Sequence, residues 1–140
     1  MTPSQIDNIR ESFALVRPIS DQAGTIFYDK LFELDPTLRG MFKTDIREQS
    51  KKLMQMLATV VGSLDKPDVL VPAVKRLGAR HVDYQVSDSH YDTVGEALLW
   101  TLGTGLGEAF TEDVKASWIA AYTLLANTMK AAAQEKITAC

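Results

Sequence analysis

Apolar residues recur along most of the chain at spacings of three and four, as on helices with one side against a core. The first run follows Thr2-Pro3-Ser4-Gln5, which has the form of an N-terminal capping box with proline at the first helical position. Pro18 ends that run, and Thr111 is placed to cap the last helix. The pattern predicts an all-α fold of about seven helices. The apolar positions that carry it include Ile6, Ile9, Phe13 and Val16; Ala23, Ile26, Phe27, Leu31 and Leu34; Leu53, Met56, Leu57, Val60 and Leu64; and Val94, Leu98, Leu99 and Leu102.

Two stretches interrupt this periodicity. Pro36 opens a short separate segment, and Pro72 is tolerable only in the first turn of its helix because proline lacks the backbone N–H. Val82, Tyr84 and Val86 alternate as in a strand, but the run is too short to pair. We expect an extended corner there.

Composition and charge narrow the class of protein. The 140 residues fit a single domain, 1–140, and 46% hydrophobic with 24% charged residues is typical of a soluble globule. A net charge of -3 argues against nucleic acid or anionic lipid as the main partner. The one cysteine, Cys140, allows no intrachain disulfide. The sequence contains no signal-peptide pattern and no membrane-spanning run, so we expect a cytoplasmic protein without an output domain.

One of the two histidines lies on an apolar helix stripe. Leu70, Val74, Leu77 and His81 are spaced four, three and four, so they share one face. A histidine at the end of such a stripe is either a hydrogen-bonded helix-end residue or a ligand. The stripe alone does not decide between them.

Two more polar residues occupy core-facing positions. Gln49 precedes Leu53, Met56 and Val60 at helical spacing, and Tyr28 lies among the apolar positions of the second helix. Tyr28 alone is also compatible with a buried tyrosine that donates to a backbone carbonyl. Three inward polar groups from three helices nevertheless indicate a buried polar object.

Most familiar catalytic signatures are absent from the sequence. Two histidines and one terminal cysteine cannot form a usual structural zinc site, and no CxxCH motif is present for covalent haem attachment. The GLGEAF stretch has the wrong glycine spacing for a nucleotide-binding loop. Any chemistry would therefore come from a bound cofactor.

Five stretches, in this order and spacing, carry a resemblance to a known family. They are IFYDKLFELDPTLRGMF, QSKKLMQML, LGARH, SHYDTVGEALL and ASWIAAY. The chain resembles a globin, and most of all the neuroglobin-like single-domain globins of bacteria. The resemblance implies a globin fold around non-covalent haem b, iron protoporphyrin IX.

The resemblance implies the axial roles. His81 takes the place of the proximal iron ligand, and the carbonyl of Leu77, one turn earlier, is a plausible acceptor for its second N–H. Gln49 takes the distal position and Tyr28 matches the distal tyrosine of bacterial globins. Since glutamine is a poor iron ligand, the sixth site is expected to be open. Donors from Tyr28 and Gln49 would favour the charge separation of bound O₂.

The resemblance also implies a set of haem-pocket residues. Phe42 matches the phenylalanine that stacks on the porphyrin, and Leu53 also faces the gas ligand. Lys52 and Arg80 are candidate partners for the haem propionates, although exposed charges on helix edges are usually only solvated. The further pocket-lining positions are Leu53, Leu77, Val86, Tyr91, Val94 and Tyr122.

Reversible binding of O₂, CO and NO, for oxygen transport, storage or scavenging, is the function that the resemblance implies. The alternative is a nitric oxide dioxygenase that detoxifies NO with electrons from an external reductase, since we expect no reductase domain to follow. Tyr91, ten residues after His81, matches the proximal-side tyrosine of flavohaemoglobins, whereas Ala133 stands where they place a glutamate. A gas or redox sensor would need a signalling partner, and a haem-free helical module conflicts with the three inward polar groups.

Overall fold

Six α-helices fill the part of the chain that the computed structural model describes, residues 2–41, 45–83 and 88–139. Three short 3₁₀ segments, Arg17–Ile19, Pro36–Met41 and Gly107–Ala109, join or extend them. The all-α prediction is confirmed. The count differs from about seven because the segment opened by Pro36 is a six-residue 3₁₀ turn rather than an α-helix. The helices are α1 (Pro3–Val16), α2 (Ser20–Leu34), α3 (Ile46–Gly62), α4 (Pro67–Asp83), α5 (Asp88–Leu106) and α6 (Glu112–Ala139).

The helix ends follow the local sequence signals. The Thr2 hydroxyl accepts from the Gln5 backbone N–H at 3.2 Å, and the Gln5 side chain accepts from the Thr2 N–H at 3.0 Å. Thr111 likewise accepts from the N–H of Val114 at 3.3 Å. Each contact satisfies an N–H that the first turn of a helix leaves without an intrahelical partner.

Helix α4 departs from the predicted pattern at both ends. It begins at Pro67, so Pro72 is its sixth residue and lies inside the helix, not in the first turn. The ring removes the hydrogen bond that would reach the carbonyl of Asp68 and also crowds that carbonyl, so Pro72 weakens this turn of the helix. At the other end α4 continues to Asp83 and includes Val82, which corrects the extended corner expected there. Tyr84 and Val86 lie outside the described residues.

The core is built mainly from α1, α2, α5 and α6. Trp118 of α6 is buried, its indole N–H donates to the hydroxyl of Ser12 at 2.8 Å, and its ring lies 6.4 Å from that of Phe13. The Ser12 hydroxyl in turn donates to backbone carbonyls of α1, so the buried polar atoms of this contact are satisfied.

In the described part of the chain, no helix is both long enough and apolar enough to cross a bilayer.

Consecutive helices α3 and α4 are held by different neighbours. Among the described residues, α3 packs chiefly on α2 and α1, whereas α4 packs chiefly on α6. A short turn at 63–65 joins them. Helices α3 and α4 therefore have different main packing partners.

Candidate functional site

A close crossing of α2 and α3 brings the first two candidate residues together. A Cβ atom built on Gly24 would lie 2.6 Å from the Cβ of Ser50, closer than side chains tolerate. The helix backbones can therefore approach at this point only because residue 24 has no side chain. Tyr28 follows Gly24 by one helical turn, and Gln49 precedes Ser50. The crossing thus fixes the separation of the two residues.

Replacing Gly24 with alanine is expected to lower the free energy of unfolding by roughly 1–3 kcal/mol, the usual cost of overpacking a close contact. The thermal midpoint, followed by circular dichroism, measures it. Gly62→Ala is the matched control, since nothing lies within 4 Å of a Cβ at that position. It should be neutral or mildly stabilising. Adding Ser50→Gly to Gly24→Ala should restore stability; equal midpoints for Gly24→Ala and Gly62→Ala would contradict the close crossing.

Tyr28 and Gln49 are in contact. Tyr28 is 5% exposed, and its hydroxyl donates to the backbone carbonyl of Gln49 at 3.4 Å. This is the contact of the second interpretation of Tyr28, a buried tyrosine bonded to a carbonyl. At 3.4 Å it is at the long, weak end of hydrogen-bond distances. The hydroxyl is therefore held near the Gln49 backbone without a strong bond to it, and the Gln49 side chain is half-buried.

The surroundings of Tyr28 keep its hydroxyl protonated. Phe27 meets the ring edge-on with centroids 5.0 Å apart, and the Phe32 ring lies at 6.0 Å. Burial raises the pKa of Tyr28 to about 12 because the phenolate would lose its hydration. The side chain is therefore a neutral hydrogen-bond donor at neutral and mildly alkaline pH.

The apolar stripe of α3 is incompletely covered by protein. Leu53, Met56 and Val60 share one helix face, yet all three are only half-buried. The buried residues of α3 are Ser50 and Val61. Lys52, the candidate partner of a propionate, is exposed beside this stripe. An apolar helix face left half open indicates a site for an apolar ligand or another surface.

The proximal candidates are placed only through their backbone. His81 lies in the last turn of α4, and Leu77 lies one turn earlier on the same helix, as the spacing predicted. The side chains of Leu77, Arg80 and His81 lie outside the described residues, as do Phe42 and Val86 altogether. Their predicted roles stay predictions.

Three further candidates lie on the first two turns of α5 and on α6, and two of them are in contact. Tyr91 is buried and Val94 half-buried, both in the first two turns of α5. The Tyr122 hydroxyl of α6 donates to the backbone carbonyl of Tyr91, and a Cβ on Gly95 would lie 2.7 Å from its ring. Desolvation raises the pKa of Tyr122, so it too stays a neutral donor. Tyr122 therefore stabilises the packing of α6 against the start of α5.

The glycines at these crossings were not identified by sequence reasoning. Gly24 and Gly95 are each in the middle of a helix, where glycine costs about 1 kcal/mol relative to alanine. A glycine retained at that cost indicates a close approach of another segment. That signal says that a contact exists but not with which residue.

Comparison with known proteins identifies relatives along most of the chain. The family model described as Globin matches residues 25–129. A Flavohemoprotein of Vibrio cholerae is 30% identical over 129 residues, which is 90% of this chain and 33% of the relative. One of Bordetella parapertussis is 36% identical over 107 residues, 74% of this chain and 26% of the relative. The chain thus spans a third or less of the length of these curated relatives.

Two solved structures share the architecture. A candidate nitric oxide dioxygenase of Rhodothermus marinus, engineered as a carbene transferase, superposes with a TM-score of 0.89 at 25% identity over 99% of this chain and 97% of that one. A hexacoordinated heme protein from an anhydrobiotic tardigrade gives a TM-score of 0.86 at 20% identity over 96% of both chains, a likeness of fold. With the family model covering most of the helices described above, the chain belongs to the globin family.

Proposed function

We propose that this chain binds haem b between α3 and α4 and binds O₂, CO and NO reversibly, with His81 as the proximal ligand and Tyr28 and Gln49 on the distal side. The observation that carries the proposal is the half-open apolar face of α3 beside the Tyr28–Gln49 contact. Membership of the globin family and the flavohemoprotein relatives support it.

The described residues fit a flat, mostly apolar macrocycle. Leu53, Met56 and Val60 offer apolar side chains on one face of α3, and α4 is supported by α6 rather than by that face. A ligand between the two helices would complete the burial of the stripe, at a gain of about 25 cal/mol per Å² of apolar surface covered. The donor chemistry also agrees, because α4 carries an imidazole in its last turn.

When bound, haem supplies the iron at which a diatomic gas binds and through which an electron is exchanged. Tyr28 presents a neutral phenol that can turn from the long bond to Gln49 towards a polar gas ligand. The Gln49 amide provides a second donor. These donors favour O₂ over CO, because bound O₂ carries more negative charge. Leu53 and Val94 limit the access of water.

A haem titration tests the proposal. Purified apoprotein is expected to bind one haemin per chain, with a sharp Soret absorbance band that reduction and CO shift. Leu53→Asp places a carboxylate on the apolar face and should weaken haem binding about tenfold or more, since burying an uncompensated polar group costs at least 1–3 kcal/mol. The matched control Gln55→Asp changes an exposed residue of the same helix and should leave it unaltered. Equal binding by both variants, or none by the parent, would refute the site.

The flavohemoprotein relatives favour one second candidate, nitric oxide dioxygenase activity. In this reaction O₂, NO and one electron give nitrate. The bound haem would supply that electron, and a reductase would have to replace it on each turnover. Stopped-flow mixing of the oxygenated protein with NO, with nitrate measured as product, tests the first half. Recovery of ferrous protein at a competent rate with a flavin reductase tests the second. Slow recovery with every donor would leave reversible gas binding as the function.

A further inference from the structure

A lysine of α6 lies over the face of a buried tyrosine. The ammonium nitrogen of Lys130 is 5.6 Å from the centroid of the Tyr91 ring, within the range of a cation–π contact. Tyr91 is 5% exposed and Lys130 is half-buried. The positive charge therefore lies against the buried Tyr91 ring, where solvent screens it less than on an open surface.

The contact of Lys130 with Tyr91 lies where α6 packs against the start of α5. Tyr122, two helical turns before Lys130 on α6, donates to the Tyr91 carbonyl and packs its ring on Gly95. Ala126 and Met129, between them, are buried in the same face of α6. The backbone of Tyr91 is thus fixed by Tyr122 while its ring is covered by Lys130. A charge placed this way has a defined position.

We infer that Lys130 is a positioning residue for the haem site, acting through Tyr91 to hold a positive charge behind the proximal wall and so favour the ferrous state of the iron. The inference rests on the proposed function and on the predicted place of Tyr91 on the proximal side of the haem pocket. Adding an electron to the iron lowers its charge, and a nearby fixed cation stabilises the lower charge. Asp92, the next residue after Tyr91, carries the opposite charge, but this carboxylate is exposed and therefore more strongly screened.

A charge series at residue 130 tests the inference in haem-loaded protein. Lys130→Met keeps a long apolar stem and removes the charge, Lys130→Glu reverses it, and Lys130→Arg retains it. At one fixed applied potential, we expect the ratio of ferrous to ferric haem to fall about threefold or more in Lys130→Met. It should fall further in Lys130→Glu and change little in Lys130→Arg. Absorbance during a redox titration measures the ratio.

Lys115→Met is the matched control. It removes the same charge from the same helix, but residue 115 is exposed and fifteen residues away, about 22 Å along the axis. It should leave the ratio unchanged. A ratio that is unaltered in Lys130→Met and Lys130→Glu, even with a lowered thermal midpoint, would reduce Lys130 to a packing residue and overturn the inference. Failure of the parent protein to bind haem would instead overturn the proposed function, and this inference with it.

Discussion

Replacing His81 with alanine is expected to abolish the absorbance spectrum of haem ligated by a protein imidazole. The chain has two histidines, and His81 lies in the last turn of α4 on the stripe formed by Leu70, Val74 and Leu77. Removing the ring removes the one axial bond that the proposed site supplies from protein to iron. Haem affinity should fall by at least about tenfold, since one coordinate bond exceeds the 1.4 kcal/mol that a tenfold change represents.

The second histidine gives the matched control. His90 lies in the first turn of α5 and is half-buried, so His90→Ala deletes the same ring elsewhere. This variant should retain the parental spectrum. Free imidazole added to His81→Ala should restore it by occupying the vacated space, without effect on His90→Ala. If His81→Ala keeps the parental spectrum without imidazole, another residue must ligate the iron.

Replacing Tyr28 with phenylalanine should speed O₂ release by about tenfold or more. A hydrogen bond to a charged group is worth roughly 1.5–3 kcal/mol, and the hydrogen bond that the phenol makes to the Gln49 carbonyl is long, at 3.4 Å. Because burial raises the pKa of Tyr28 to about 12, the donor is present throughout the neutral range. The release rate is measured by stopped-flow displacement of O₂ with CO. CO release itself should change much less.

Ser117→Ala provides a comparison for Tyr28→Phe. Ser117 is fully buried, and its hydroxyl joins Asn8 of α1 to the backbone of α6, so it takes no part in the contact of α2 with α3 shown by Gly24 and Ser50. Its loss should lower stability without altering O₂ release. If Tyr28→Phe gave the same outcome, a lower thermal midpoint with an unaltered rate of O₂ release, the Tyr28 hydroxyl would contribute to stability alone. Tyr28 would then have no distal role.

The sequence predicted the elements of the fold well where the determining contacts are local. Thr2 with Gln5, and Thr111 with Val114, are three residues apart, so their caps follow from the order of the residues. The helix that carries His81 was predicted, and Leu70 and Val74 of its apolar stripe are buried, because such a stripe needs only helical geometry. The ends of this helix were not predicted. Where α4 begins and ends, and so where Pro72 lies within it, depends on what packs against the helix, chiefly α6.

Sequence alone thus determined the helical class of this protein and which polar residues lie on apolar stripes, since both follow from side-chain spacing along one helix. The tertiary structure decided which of those residues meet. Gly24 and Ser50 are far apart in the chain, and their contact exists because two backbones cross there. The same holds for Lys130 over Tyr91, which depends on how α6 is clamped to α5. Such contacts depend on the angle and depth at which helices pack, and those are set by the whole core.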